Sequence, residues 1–326
     1  MLDKLEGNGL LIHHWDADGI CSAKLLLEKI GDKIENSFTP TLGNYFLTNE
    51  EIEKCRGYDF VIIVDMSLPK KNILKLNGNS QVLIFDHHLG EEIKQVFHRN
   101  PVIKGKNPDE YPSASWIVND YLDNSVNLFA LLGVVGDHEQ KIKNNNQFFS
   151  LIESFCQEKN IVFEDMLRMV YLLDSNYKKG NKKAVEKAPY ILLKVDEPRQ
   201  ILENKEWNQN KKMLDDEIEK QLNEPLETTD DTIIKKMNSP FNIISTITRR
   251  LAWDTQKNTI VVNTGFFDDE DQLYVRTLNK NMEPMIQRGK KLGFKCGGKK
   301  EVLGAIIPKN QTESFLEEVK NFFMED

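Results

Sequence analysis

The residues in this chain best equipped for chemistry are histidines and aspartates at the ends of apolar runs. The first run is Leu10 to Ala23, Leu-Leu-Ile-His-His-Trp-Asp-Ala-Asp-Gly-Ile-Cys-Ser-Ala. It sets His13 and His14 just before Asp16 and Asp18, and Gly19 opens an apolar-periodic stretch (Ile20, Leu25, Leu26, Leu27, Ile30). Carboxylate oxygens beside imidazole suit a divalent cation such as Mn²⁺ or Mg²⁺ better than a thiolate site would. Alone, an Asp-x-Asp-Gly loop is as readily a capped turn as a metal site. Three later stretches shift that balance: Phe60-Val-Ile-Ile-Val-Asp65, Val82-Leu-Ile-Phe-Asp86-His87-His88 and Leu131-Leu-Gly-Val-Val-Gly-Asp137-His138. Five of the six histidines lie in these endings, about what two cations sharing one carboxylate require. His98 and His138 read more simply as satisfied structural residues.

For these side chains to meet, the apolar runs must end on one edge of a sheet. Residues 1–140 alternate short apolar strands with helical segments, the pattern of a parallel α/β sheet. Strand C-termini of such a sheet converge on one edge, where open α/β sheets bind ligands. Leu10 to His13 reads as a buried strand, Asp16 to Gly19 as a sharp loop, and Ser22 to Ile30 as a helix. Short helices are expected over 49–55 and 69–76, with strands at Phe60 and Val82. Ser113 to Leu122 reads as a capped helix with Ser113 or Ser115 as its N-cap. In the functional alternative, its hydroxyls and N–H groups meet a phosphate.

His14-x-Asp16-x-Asp18-Gly19, the strand-terminal Asp65, Asp86-His87-His88 and Gly133-x-x-Gly136-Asp137 resemble, in order and spacing, the four motifs of the DHH phosphoesterases. The Asp-Ala-Asp-Gly form is most similar to the RecJ-like branch, especially its archaeal members. The resemblance covers most of residues 10–140. It implies a catalytic domain holding two Mn²⁺ ions, with Mg²⁺ as the other candidate. His14 and Asp16 are assigned to one ion, Asp18 and His87 to the other, Asp65 bridges, and Asp137 completes the cluster. His13 stays open as the rival of His14. Asp86 is expected to orient a histidine from behind, and His88 to contact the scissile phosphate or the leaving oxygen.

The 326 residues suggest roughly two domains. Met1-Leu-Asp-Lys-Leu-Glu lacks the apolar core of a signal peptide. The longest apolar runs are strand-sized, which excludes a transmembrane helix. Cys21, Cys55, Cys156 and Cys296 are scattered without a Cys-x-x-Cys pair, so they read as free thiols of a cytoplasmic protein. The net charge of −8 argues against a nucleic-acid coat protein but not against a local basic groove. Such a groove has a candidate: residues 276–300 carry eight basic side chains against one acid, Glu283.

After 140, Phe148 to Cys156 and Phe163 to Leu173 are amphipathic. Pro198 to Leu222 reads as one long charged helix with Trp207, Leu214, Ile218 and Leu222 on its packed face. Phe241 to Trp253 is expected to be helical, and strands are expected at Thr259 and Gln272 around an acidic turn. A last helix is expected over 311–323. This region resembles the family's C-terminal substrate-binding domain. Val275-Arg276-Thr277 is similar to its Arg-Ser strand motif, and Gly297-Gly298 with Gly304-Ala305 to its glycine-rich signature. Lys299 stands where the family has His. It offers a positive charge but neither a neutral acceptor nor an aromatic face. Arg276, Gly297, Gly298 and Lys299 would thus grip a second phosphate or the terminal nucleotide.

The expected architecture is a parallel-sheet DHH domain (1–195), a helical linker (196–227) and a smaller α/β substrate-binding domain (228–326), with the active site in the cleft between domains. The expected function is RecJ-like: metal-dependent exonucleolytic hydrolysis of single-stranded DNA or RNA. A phosphatase or oligonucleotidase acting on very short oligonucleotides or 3′-phosphoadenosine 5′-phosphate stays open. So does a binding role in a replication or repair assembly, which the intact Asp16, Asp18, Asp65, His87 and Asp137 oppose as a sole role. The Ser-Arg-Lys-Lys motif of family II inorganic pyrophosphatases is not found.

Overall fold

A computed structural model describes residues 1–229 and 231–324. The chain divides into two compact units, 1–177 with 181–209, and 178–180 with 210–326; the last two residues of the second lie outside the described ones.

The first unit carries β1 (Gly9–His13), α1 (Ala17–Ile30), β2 (Ile34–Phe38), α2 (Asn49–Lys54), β3 (Phe60–Val64), α3 (Lys70–Asn77), β4 (Gln81–Phe85) and β5 (Phe97–Arg99). There follow α4 (Ala114–Tyr121), α5 (Leu128–His138), α6 (Asn146–Lys159), α7 (Phe163–Lys178), α8 (Lys182–Leu192), α9 (Pro198–Leu202) and α10 (Lys205–Asn223), which from Asn210 on belongs to the second unit. The five strands form one sheet in the order β2-β1-β3-β4-β5, every pair parallel. Every residue of β1 and β3 is buried, as expected for central strands covered on both faces. Their C-terminal ends therefore open on one edge, and the loops after β1, β3 and β4 carry the histidines and aspartates.

The run ending in Asp137 is not one of these strands. It is α5, begun by the Asn127 side chain, which accepts from the N–H groups of Phe129 and Ala130. Gly133 and Gly136, three apart, lie on one helical face. A Cβ on Gly133 would overlap Asp18 Oδ1 and Ser115 Oγ, and one on Gly136 would come within 3.2 Å of the Ala17 side chain. The two glycines thus let α5 pack against the N-terminal turns of α1 and α4. Continuous apolar character marks a buried element, and periodicity alone does not separate buried strand from buried helix.

The expected helix over 198–222 is interrupted. α9 stops at Leu202, and the Asn204 side chain starts α10 afresh by accepting from the Trp207 N–H. The edge strands β2 and β5 carry no apolar run that would announce them.

The second unit continues with β6 (Glu227–Thr228), β7 (Thr232–Met237), α11 (Ile244–Thr255), β8 (Asn258–Asn263), β9 (Glu270–Arg276), α12 (Glu283–Lys291), β10 (Lys295–Lys299), β11 (Val302–Pro308) and α13 (Thr312–Met324). Its sheet runs β10-β11-β9-β8-β7-β6 and is antiparallel except between β7 and β8. Strand alternation splits the side chains between two cores. Ile260, Val262, Leu273 and Val275 pack with Ile286 and Phe315. Ile233 and Val261 pack on the other face with Leu214, Ile218, Ile247 and Leu251. Among the described residues, no helix is long and apolar enough to cross a membrane.

Candidate metal centre

Asp16 is the N-cap of α1, where its side chain accepts from the Gly19 N–H at 3.1 Å. The turn is tight, because a Cβ on Gly19 would run into the His14 backbone. It brings His14 Nδ1 to 2.7 Å from Asp16 Oδ2 and 3.5 Å from Asp65 Oδ2. His13 turns the other way. It is fully buried, its Nδ1 lies 2.7 Å from the His14 carbonyl, and burial pushes its pKa down to about 4. Of the two rivals, His14 belongs to the cluster.

Asp18, in the first turn of α1, is completely buried. Its two oxygens accept from the N–H groups of Ala114 and Ser115 at 2.7 and 2.9 Å. The α4 N-terminus therefore does meet an anion, and the anion is Asp18. Ser113 is the N-cap of α4, accepting from the Trp116 N–H at 3.1 Å.

Asp65 follows β3 with its N–H on the Phe85 carbonyl and with φ of +58°. The left-handed region is strained for a residue with a Cβ, though Asp tolerates it better than most. Its carboxylate is 2% exposed, and neither oxygen has a hydrogen-bond partner.

After β4, His87 Nε2 lies 3.0 Å from Asp137 Oδ2 and 3.5 Å from Asp65 Oδ1. His88 Nδ1 lies 2.7 Å from Asp86 Oδ1 and 4.0 Å from Asp65 Oδ1. Of the remaining histidines, His138 Nε2 lies 3.0 Å from the Pro112 carbonyl, and His98 Nδ1 accepts from the Ile93 N–H.

Among the described residues three overlapping groups result, each with ligand atoms within 4.8 Å of one another: His14, Asp16 and Asp65; Asp65, His87 and His88; Asp18, His87 and Asp137. Asp65 belongs to two of them. Burial, joined by the charge of Asp65, pushes the Asp18 carboxyl up to about 7, and burial with Asp18 lifts Asp137 well above the usual range. Burial works against the His87 cation, but Asp65 and Asp137 outweigh it and hold its pKa at about 10. Burial opposes the Asp65 charge too, yet His14 and His87 bring that group well below the usual range.

A buried carboxylate whose oxygens have no hydrogen-bond partner is costly unless a cation meets it. His14 Nε2, likewise buried, also lacks a hydrogen-bond partner. Oxygen and imidazole donors around one shared carboxylate fit divalent cations, and no cysteine enters the groups.

The substrate-binding candidates lie in the second unit. Register places Lys299 opposite Val302 and Val302 opposite Arg276, so the two cationic residues share one sheet face, two strand spacings or roughly 10 Å apart. Gly297 pairs with Gly304, and Gly304 with Tyr274, leaving bare backbone beside that tyrosine. Gly298 cannot carry a Cβ, which would strike the Val302 carbonyl. Arg276 has no ion-pair partner among the described residues; its guanidinium lies over the Trp253 ring. Of the other basic residues in the run, Arg288 is paired with Glu318 and Lys295 with Glu270.

Fold and site together define an α/β domain with an acidic, histidine-bearing centre suited to divalent metal at its strand-end edge. Residues 10–145 match the DHH family, N-terminal domain, and the chain carries a domain of that family. Among the solved structures that share the fold are the following three. Exonuclease RecJ bound to manganese is 16% identical, with a TM-score of 0.68 and coverage of 98% of this chain and 90% of that one. RecJ with Mn²⁺ from Thermus thermophilus is 17% identical, with a TM-score of 0.67 and coverage of 97% of this chain. This chain spans 52% of that longer one. The pGpG-specific phosphodiesterase PggH from Vibrio cholerae is 12% identical, with a TM-score of 0.50 and coverage of 96% and 97%. No curated protein sequence matches the chain.

The α5 crossing makes a prediction about the centre. Gly133→Val should displace Asp18 from its α4 cradle, destabilise the protein by about 1–3 kcal/mol and weaken metal binding at least tenfold. Gly136→Ala, whose Cβ would meet the Ala17 side chain at 3.2 Å and the Asp18 N and Val170 side chain only at 3.8 Å, should be milder on both. Calorimetric metal titration and thermal melts of the two variants check this. Equal metal affinity in the Gly133 variant and the unaltered protein would refute the cradle's role.

Proposed function

We propose that this chain is a metal-dependent phosphodiesterase of the RecJ-like, archaeal type, acting as an exonuclease on single-stranded DNA or RNA. The observation that carries this is the Asp65 carboxylate, buried without a hydrogen-bond partner and common to two metal-ligand groups. His14 and Asp16 would hold one ion and Asp18 and His87 the other, with Asp65 as the carboxylate shared between them and Asp137 completing the set. Two divalent cations supply a nucleophile at neutral pH and neutralise charge on the attacking and leaving oxygens. Asp86 holds His88 Nδ1 and raises its pKa against the opposing effect of burial. The His88 ring, 44% exposed, presents Nε2–H to the phosphate or to the leaving oxygen, where it donates a proton. Arg276 and Lys299 bind a second phosphate, with Gly297 and Gly298 giving backbone access. The catalytic domain is 1–195 and the substrate domain 228–326, joined through 196–227. The four cysteines are free thiols, which supports a reducing cytoplasm.

A product ladder tests this reading. DNA and RNA from two to forty nucleotides, labelled at the 5′ or 3′ end, are incubated with Mn²⁺ and sized against time. Stepwise shortening of long single strands is expected. Exclusive cleavage of dinucleotides would replace the exonuclease with the short-substrate reading, which the PggH likeness keeps specific.

Salt dependence separates the same two readings. Lys290, Lys291 and Lys300 are exposed and have no ion pair among the described residues. If they follow a strand, changing all three to Gln should weaken binding to a twenty-mer and lower its salt slope by about 2, at roughly 0.7 per phosphate lost. Dinucleotide cleavage should change little. An unaltered slope measured by anisotropy at several salt concentrations would remove these lysines from the strand path.

A further inference from the structure

Trp253 lies outside every packed cluster. α11 buries Ile244, Ile247, Thr248, Leu251 and Ala252, the stripe expected of a helix lying on a sheet. Trp253 is off that stripe and 50% exposed. The other tryptophans differ: Trp15 and Trp207 are buried, and Trp116 packs edge-on against Phe148. Trp253 also has two cationic neighbours. The Arg276 guanidinium carbon is 5.6 Å from its ring centroid and that of Arg249 is 6.0 Å away. A half-exposed indole leaves apolar surface in water that the fold does not use. The Arg276 guanidinium, without an ion-pair partner among the described residues, provides positive charge at an aromatic face, the combination by which single-stranded nucleic acid is held without base readout.

We propose that Trp253 is a nucleobase platform. It stacks the base of the nucleotide whose phosphate Arg276 binds. The inference rests on the phosphodiesterase reading for the identity of the ligand, but its residues all lie within the second unit. Stacking accepts any base, because every base offers a π face. The platform therefore confers affinity for single strands rather than sequence preference. Duplex DNA keeps its bases stacked inside and would gain nothing from it.

The test uses the full chain, chelated so that nothing is cleaved. The probes are a 3′-fluorescein decanucleotide single strand and a strand of equal length and charge with abasic sites throughout. Both carry the same phosphates, so their affinity ratio isolates the bases. The unaltered protein should prefer the base-bearing strand by roughly 5- to 150-fold, the range one base–aromatic stack supplies. Trp253→Leu, which keeps apolar bulk without the ring, should bring the ratio close to one. Trp253→Phe should retain most of it. Indole fluorescence should be quenched by the base-bearing strand in the unaltered protein and not in the Phe variant. An unchanged ratio in a folded Leu variant, no ratio in the unaltered protein, or no binding of either strand would each overturn the platform. Hydrolysis of bis(p-nitrophenyl) phosphate by the unaltered protein with Mn²⁺ reports separately, since that diester has no nucleobase. Hydrolysis with a Trp253-independent ratio refutes the platform alone, and a Trp253-dependent ratio without hydrolysis refutes the phosphodiesterase alone.

Discussion

Asp65→Ala is expected to lower turnover by about a thousandfold or more at saturating metal, with the fold and single-strand binding retained. A bridging carboxylate holds both cations, and the transition-state charge they stabilise amounts to several kcal/mol, each 1.36 kcal/mol being tenfold in rate. Two effects are mixed in that substitution. Asp65 sits at φ +58°, so Ala brings backbone strain as well as the loss of a ligand. Asp65→Asn separates them, since Asn tolerates the left-handed conformation and keeps the shape while giving up the charge. If the bridge explains the loss, both variants fall together, and both bind fewer ions by elemental analysis. Strain as the cause would leave the Asn variant active. Retention of a tenth or more of the original turnover in either would count against a bridging role.

Much of the candidate centre is legible in the sequence, and the reason is local. His14, Asp65, Asp86, His87 and His88 each lie just after an apolar strand, and Asp16 and Asp18 cap and open the helix that follows the first of them. In a parallel sheet that position alone brings side chains together. Asp137 was found by its spacing, while the element carrying it was grouped with the strands. The difference lies in Gly133 and Gly136, whose packing against Ser115, Asp18 and Ala17 is a tertiary fact. The Asp18 cradle was out of reach for a similar reason: its donors, Ala114 and Ser115, lie almost a hundred residues along the chain. In the second unit, sequence marked a basic run but not which charges were already paired. Lys295 and Arg288 meet Glu270 and Glu318 across the fold, so the run is less cationic than its composition. Trp253 gave no signal at all, because a lone aromatic at a helix end becomes informative only beside Arg276 and Arg249.

Exhaustive chelation should abolish activity, and Mn²⁺ should restore it at least as well as Mg²⁺. The preference follows from the donors. Imidazole nitrogens of His14 and His87 stand among the carboxylates of Asp16, Asp18, Asp65 and Asp137. Mg²⁺ favours oxygen and keeps its waters, whereas Mn²⁺ accepts imidazole more readily. A second readout does not depend on turnover. A cation that binds the folded protein alone stabilises it by about 2.7 kcal/mol at a hundredfold excess over its dissociation constant. Mn²⁺ should therefore raise the melting temperature of the chelated protein by several degrees. The shift should appear in the transition of the unit that carries the cluster. Asp65→Asn should show little of it, because removing the shared carboxylate takes a ligand from two of the three groups. Full activity after chelation would end the two-metal reading. Restoration by Mg²⁺ alone, with Mn²⁺ ineffective, would remove His14 and His87 from the ligand set while leaving the carboxylates in place.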